Sequence, residues 1–163
     1  EFYAGQRPAI DAGTSVSRVG GDAQVKAMKK VAGTLRLDIA SYNELASFAQ
    51  FGSDLDEATQ AKLARGQRTM EVLKQGLHEP QTVSQQVVTL FALSHGFIDK
   101  IPLADVQRYE SELAAYMHAN HQDLYDSIQK TGKLPEGDDL LNAVADFTKS
   151  FQTSDDQQKA AEK

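Results

Sequence analysis

The sequence predicts an all-α fold, a C-terminal helical bundle of five to six helices preceded by a short non-helical arm. Three observations carry that prediction. Between residues 23 and 151 apolar side chains recur at spacings of three and four, the mark of one buried face on each of several helices. Glycines, prolines and helix-capping residues punctuate the pattern at intervals that suit short connections. The first 22 residues instead hold Gly5, Pro8, Gly13, Gly20 and Gly21 with only short apolar pieces, which reads as loop with at most one short strand around Val16.

Taken in order, the first helix is expected from about Ala23 to Ala49 on Met28, Ala32, Leu35, Ile39, Tyr42 and Ala46, with a break near Gly33. The stretch FAQFGSDLD, Phe48 to Asp56, interrupts it with a glycine and two aspartates that suit a helix end, a tight loop and an N-cap. A second helix follows from about Asp56 to Gln75. Gly76, Pro80 and the capping-box pattern Thr82-x-x-Gln85 open a third, with Val83, Val87, Leu90 and Phe91 as its buried stripe, running to about His95. Gly96 and Pro102 bracket the next junction, Pro102 at a first-turn position where its missing N–H costs little. Val106, Tyr109, Leu113 and Tyr116 continue the spacing, and Leu124 and Ile128 carry it to Gly132 with a bend near Asn120. Leu140, Val144, Phe147 and Phe151 define a last helix begun near Asp138. Residues 152–163 are polar and charge-mixed and are expected to form a disordered tail. The organisation is thus an arm over 1–22, a bundle over 23–151 and a tail over 152–163.

At 163 residues the chain suits one domain with a conventional core. With 25% charged residues and a net charge of -6, bulk nucleic-acid binding is disfavoured. The charge is uneven: residues 1–36 hold six Lys/Arg against three Asp/Glu, giving +3, and residues 37–163 hold eleven against twenty, giving -9. Only the N-terminal part is suited to an anion. The absence of cysteine excludes disulfides and thiolate zinc sites. No run of 18 apolar residues occurs. A start at Glu1 without a signal pattern leads to the expectation of a piece of a longer chain.

The most informative motif is GTSVSRVGG, Gly13 to Gly21, which sets Arg18 in a polar loop beside hydroxyls and a glycine pair. A guanidinium is permanently charged and forked, suited to a phosphoryl group. The chain has neither a G-x-x-x-x-G-K-[ST] cradle nor an acidic strand end for Mg²⁺, so Arg18 reads as a group lent to another chain's active site, against the alternative of an ordinary surface arginine. His118 and His121 stand three apart on a helix, but no third ligand accompanies them and no metal site is assigned. Ser and Asp residues are scattered without the glycines that arm a nucleophile. Lys26, Lys29, Lys30 and Arg36 read as a solvated face, with phosphate or an acidic partner as the sharper reading. Asp54 and Asp56 beside Phe51 would grip a basic partner or simply cap a turn.

The strings RPAIDAGTSVSRVGG, AMKKVAGTLRLDIASYNELASFAQFGSDLDEATQAKLARGQR and EVLKQG resemble the C-terminal portion of the alpha subunit of F-type, proton-translocating ATP synthases. The likeness is dense over residues 5–77 and looser, through the KIP and GKLP turns, to residue 151. It implies that residues 1–22 end a nucleotide-binding domain and that the bundle lies below it. It implies that Arg18 is an arginine finger acting in trans on nucleotide held by the beta subunit, and that Ser15 is required for activity by setting the same loop. Arg7, Pro8 and Gln75 match positions beside the adenine of a non-catalytic MgATP; where a second glutamine is expected the chain has Leu77. Phe51, Asp54 and Asp56 fall in the loop that faces the central gamma stalk. The resemblance further implies ATP or ADP with Mg as ligands of the whole subunit, none held by the isolated piece, and partners in the beta subunits and gamma stalk. The location implied is peripheral, on the cytoplasmic face of the bacterial membrane. The piece alone is expected to be inactive. A self-contained helical protein–protein interaction module is the alternative.

Overall fold

The structure, a computed structural model, describes residues 5–11, 17–49 and 55–161. These residues form helices and no strand, in the order α1 (Arg18–Ala23), α2 (Lys26–Val31), α3 (Leu35–Ala49), α4 (Glu57–Val72), α5 (Val83–Ser94), α6 (Val106–Asn120), α7 (Gln122–Thr131), α8 (Asp139–Ser150) and α9 (Ser154–Ala161). The predicted all-α class is the observed one.

The core is organised around α5, whose Val87, Val88, Phe91, Ala92 and Leu93 are all buried. Their positions cover more than one stripe, so the helix has to be enclosed from several sides. It packs on α2, α6 and α7. Val106, Tyr109, Leu113 and Met117 of α6 face inward, joined by Leu124, Tyr125 and Ile128 of α7 and by Leu140, Val144 and Phe147 of α8. Each such side chain contributes roughly 1.5–3 kcal/mol by leaving water. Tyr109 lies at the centre of an aromatic group, edge-on to Phe147 at 5.1 Å and to Phe151 at 5.2 Å. Its hydroxyl meets the Thr148 hydroxyl at 2.7 Å, which in turn donates to the Val144 carbonyl, so the buried phenol is satisfied.

Helix boundaries follow local chemistry. Thr82 and Gln85 form the predicted capping box: the Thr82 hydroxyl accepts from Gln85 N and the Gln85 amide oxygen accepts from Thr82 N at 2.8 Å. The first predicted helix divides. Its break falls at residues 32–34, around Gly33, giving α2 and α3. The bend at Asn120 is a full break, with His121 between α6 and α7. Gly132 closes α7 at φ 65 and approaches Val25 so closely that an added Cβ would lie 3.2 Å from the valine's. Its carbonyl accepts from Ala27 N at 2.8 Å, so the end of α7 docks the start of α2. Pro102 stands just before a 3-10 turn, Leu103–Asp105, that runs into α6.

Two segments differ from expectation. Helix α1 lies within the arm read as loop, because the Ser17 hydroxyl accepts from Gly20 N at 2.9 Å and supplies an N-cap. Helix α9 occupies most of the span read as a disordered tail. Thr153 and Asp156 exchange hydrogen bonds at 3.2 Å across its first turn. Buried Asp105 also accepts from Ser154 N at 2.8 Å and from the Ser154 hydroxyl, while Arg108 reaches Asp105 at 3.3 Å and the Gln152 carbonyl at 2.7 Å. These contacts bridge residues too far apart in sequence for composition to signal them.

Helix α3 rests chiefly on α4. Ile39 is buried between them, and the Tyr42 ring covers Gly66 so tightly that a Cβ there would sit 2.4 Å from the ring. Gly66→Ala should therefore cost about 1–3 kcal/mol by overpacking, measured as a lowered urea midpoint with an unchanged slope. Asp105 is held below the ordinary carboxylate range, first by the Ser154 hydroxyl, then by Ser154 N–H and Arg108, with burial acting against them. Its folded pKa lies below the unfolded one, so this stabilisation is present above the unfolded value and is lost as pH falls through the folded value. Ser154→Ala should leave α9 frayed in hydrogen exchange at neutral pH, and acid below the usual carboxylate range should fray it in the parent chain.

Candidate functional site

The arm supplies the candidate groups. Ser17 caps α1, and Arg18, the first residue of that helix, is exposed; among the described residues no carboxylate pairs with it. Next to Ser17 lies an open groove of about 690 Å³ between α1, the turn at Gly33 and the start of α3, lined in part by Lys29 and Arg36. Lys26, Lys29, Lys30 and Arg36 are all exposed, and Lys29 comes only within 4.0 Å of Asp22. The N-terminal third of the molecule thus presents cations to solvent, as the charge distribution predicts.

Further back along the arm, the Arg7 carbonyl accepts from Gln75 N at 2.9 Å, and the Arg7–Pro8 peptide is cis. This bond brings Arg7 and Pro8 to the C-terminal end of α4, where Gln75 stands; the three residues predicted to share a pocket are neighbours. Pro8 and Ile10 close a small cleft of about 130 Å³ against Ile39 of α3 and Met70 and Leu73 at the end of α4. The Gln75 amide donates to the Glu79 carbonyl at 2.7 Å. Leu77 sits on the same turn with 85% of its surface exposed, next to His78 at φ 62.

Of the other predicted site residues, Ser15, Phe51 and Asp54 lie outside the described residues. Asp56 occupies the N-cap position of α4 in extended conformation. Thr59 holds its carboxyl below the ordinary range, although no cap hydrogen bond closes at normal length. His118 and His121 do not converge: His118 bridges Gln85 at 3.2 Å and Gln122 at 2.7 Å, whereas His121 lies against the Tyr116 ring. No cluster of His, Asp and Glu able to hold a metal occurs among the described residues.

Sequence reasoning missed Glu110. It is buried on α6, and burial, with a further push from the nearby Glu71 charge against a hydrogen bond from Gln81, raises its carboxyl to about 7. Its place four after Val106 and three before Leu113 puts it on the buried face, a signal the spacing does contain.

The family model for the ATP synthase alpha/beta chain, C terminal domain, matches residues 24–151, the span from just before α2 to the end of α8. The chain belongs to this family. Subunit alpha of ATP synthase from Limosilactobacillus reuteri (strain DSM 20016) is 88% identical over 152 residues, which is 93% of this chain and 30% of that relative. The subunit alpha of Limosilactobacillus fermentum (strain NBRC 3956 / LMG 18251) is 72% identical over 98% of this chain and 31% of its own length, and that of Levilactobacillus brevis 68% over 93% and 29%. The chain spans about 30% of the length of the curated relatives it matches. Gln75 and Asp56 fall inside the span matched by the ATP synthase C-terminal domain, whereas Arg7, Pro8 and Arg18 precede it.

Because the arm is tied through the main-chain N–H of Gln75, Gln75→Ala should leave that amide protected from exchange to within about threefold. The turn to Glu79, which loses its side-chain bond, should open more readily by about 1 kcal/mol.

Proposed function

We propose that this chain serves as the C-terminal portion of the alpha subunit of a proton-translocating ATP synthase, within a complex that makes ATP from ADP and phosphate. The exposure of Arg18 at a capped helix start carries the reading. A guanidinium with no carboxylate of its own beside it among the described residues is available to an anion held by another chain. In this reading Arg18 reaches nucleotide on the beta subunit and stabilises charge developing on the transferred phosphoryl group, a role worth on the order of 10³–10⁵ in rate in comparable enzymes. Ser15 sets the same loop. Arg7, Pro8 and Gln75 flank the base of a MgATP bound elsewhere in the alpha subunit, an assignment favoured by the bond that joins Arg7 to Gln75. Phe51, Asp54 and Asp56 face the gamma stalk. The complex holds the chain at the cytoplasmic face of the membrane, and no described helix is long and apolar enough to cross it. The isolated chain neither hydrolyses nor retains ATP.

A self-contained interaction module would use the closed core equally well. It leaves unexplained why Ile10, Val19 and Leu37, all more than 60% exposed, gather in the arm and at the start of α3.

Arg18→Lys in the complete complex keeps charge and loses the fork. Steady-state ATP hydrolysis should fall about a thousandfold while assembly and nucleotide affinity at the catalytic sites persist. Near-normal turnover would make Arg18 a structural arginine and overturn the reading.

A further inference from the structure

A single line of hydrogen bonds runs from α7 through the end of α6 to the start of α5. Asp126 of α7 accepts from the Gln122 side-chain amide at 2.8 Å, and the Gln122 side-chain oxygen meets His118 Nδ1 at 2.7 Å. His118, in the last turn of α6, turns Nε2 to the Gln85 side-chain nitrogen at 3.2 Å, and the Gln85 side-chain oxygen accepts from Thr82 N at 2.8 Å in the capping box of α5. The two ends fix the direction of the whole line. A carboxylate only accepts, so Gln122 gives its NH₂ to Asp126 and its oxygen to the ring. A main-chain N–H only donates, so Gln85 gives its oxygen to Thr82 and its NH₂ to the ring. His118 is thereby required to donate from Nδ1 and to accept at Nε2.

We propose that His118 is a proton-sensitive pin for the start of α5: the neutral ring, with its proton on Nδ1, locks Gln85 into the capping box, and protonation of the ring frees Gln85 from it. A second proton has to enter at Nε2, where the Gln85 NH₂ already presents a donor. Two donors cannot share a bond. Gln85 relieves the conflict by turning its amide over, which offers its oxygen to the imidazolium and withdraws that oxygen from Thr82 N. The bond from Nδ1 to Gln122 is kept in both forms of the ring, and Asp126 acts only through it. The Tyr125 ring of α7 lies edge-on to the imidazole at 4.8 Å, and burial pushes its phenol up to about 12, so it stays neutral. His121, between α6 and α7, turns to Tyr116 at 5.5 Å, and one turn back on α6 stand the uncharged Ala114 and Ala115. Ahead of α5, Glu79 shares a cavity wall with Gln85. Histidine is the side chain whose charge ordinarily changes between pH 5 and 8. The closed box accepts only the neutral ring and the open box accepts either form, so closure is favoured at higher pH and is lost as pH falls.

Hydrogen exchange of the Thr82 amide, corrected for intrinsic chemistry, tests this on the 163-residue chain. Opening should increase about fivefold as pH falls from about 7.5 to about 5.5 in the parent chain and stay flat in His118→Ala. Gln85→Glu should reverse the sign, because a carboxylate has one oxygen for Thr82 N and another for the imidazolium, so the box tightens as the ring gains its proton. A flat parent profile, the same rise in His118→Ala, or loosening in acid with Gln85→Glu would each overturn the proposal. Ring-nitrogen NMR of His118 in the parent chain keeps the test open should a variant fold poorly. The neutral ring should carry its proton on Nδ1, and a ring protonated on Nε2 instead would sink the idea.

Discussion

The rest of the structure depends on burying α5, a helix that must be enclosed on several sides and whose ends are closed by partners from the chain itself. At its N-terminus the Thr82–Gln85 box supplies the partners. At its C-terminus Gly96, at φ 77, lets Gly96 N reach Leu93 O and Phe97 N reach Ala92 O, the paired bonds of a Schellman ending. Another helix also reaches this end: Arg65 of α4 donates to Leu93 O, which it shares with Gly96 N, and to Ser94 O, both at 3.2 Å, and to Asp99. Arg68, one turn on, donates to Ile101 O at 2.7 Å. These bonds fix α4 against the central helix, and the position of α4 in turn decides where the arm and α3 can lie.

What could be read from sequence was whatever one or two turns of chain decide. The capping box, the left-handed stops at Gly96 and Gly132, the break around Gly33 and the start of α8 after Asp138 are all signalled by residues within a turn of the event. The contacts that give those helices their places are not local. Arg65 finds its carbonyls 28 and 29 residues later, and Asp105 finds Ser154 after 49. A polar tail such as 152–161 looks disordered until a buried carboxylate elsewhere claims its first residue. The charge excess over residues 1–36 likewise pointed to exposed cations, found on Lys26, Lys29, Lys30 and Arg36, but carried no sign that a main-chain bond from Gln75 would hold the arm.

The arginines divide by use. Arg65, Arg68 and Arg108 are spent on carbonyls and carboxylates of the chain itself, and Arg108 also lies 4.4 Å over the Phe151 ring. A guanidinium committed in that way cannot also serve an outside anion without undoing the fold. Arg18 differs in kind: its backbone is fixed by the Ser17 cap, while its side chain stays exposed. A charge on a fixed backbone, committed to no bond among the described residues, can meet an outside anion without undoing the fold.

The end of α4 leads into Gln75, whose N–H donates to the Arg7 carbonyl, and its Glu71, paired with Lys74, stands close to the buried Glu110 carboxyl of α6. A buried carboxyl there is unfavourable when ionised, and an apolar residue of similar size would fill the same space without that penalty. Its cost is confined to pH values above its own titration, and it falls on the face of α6 that meets the end of α4.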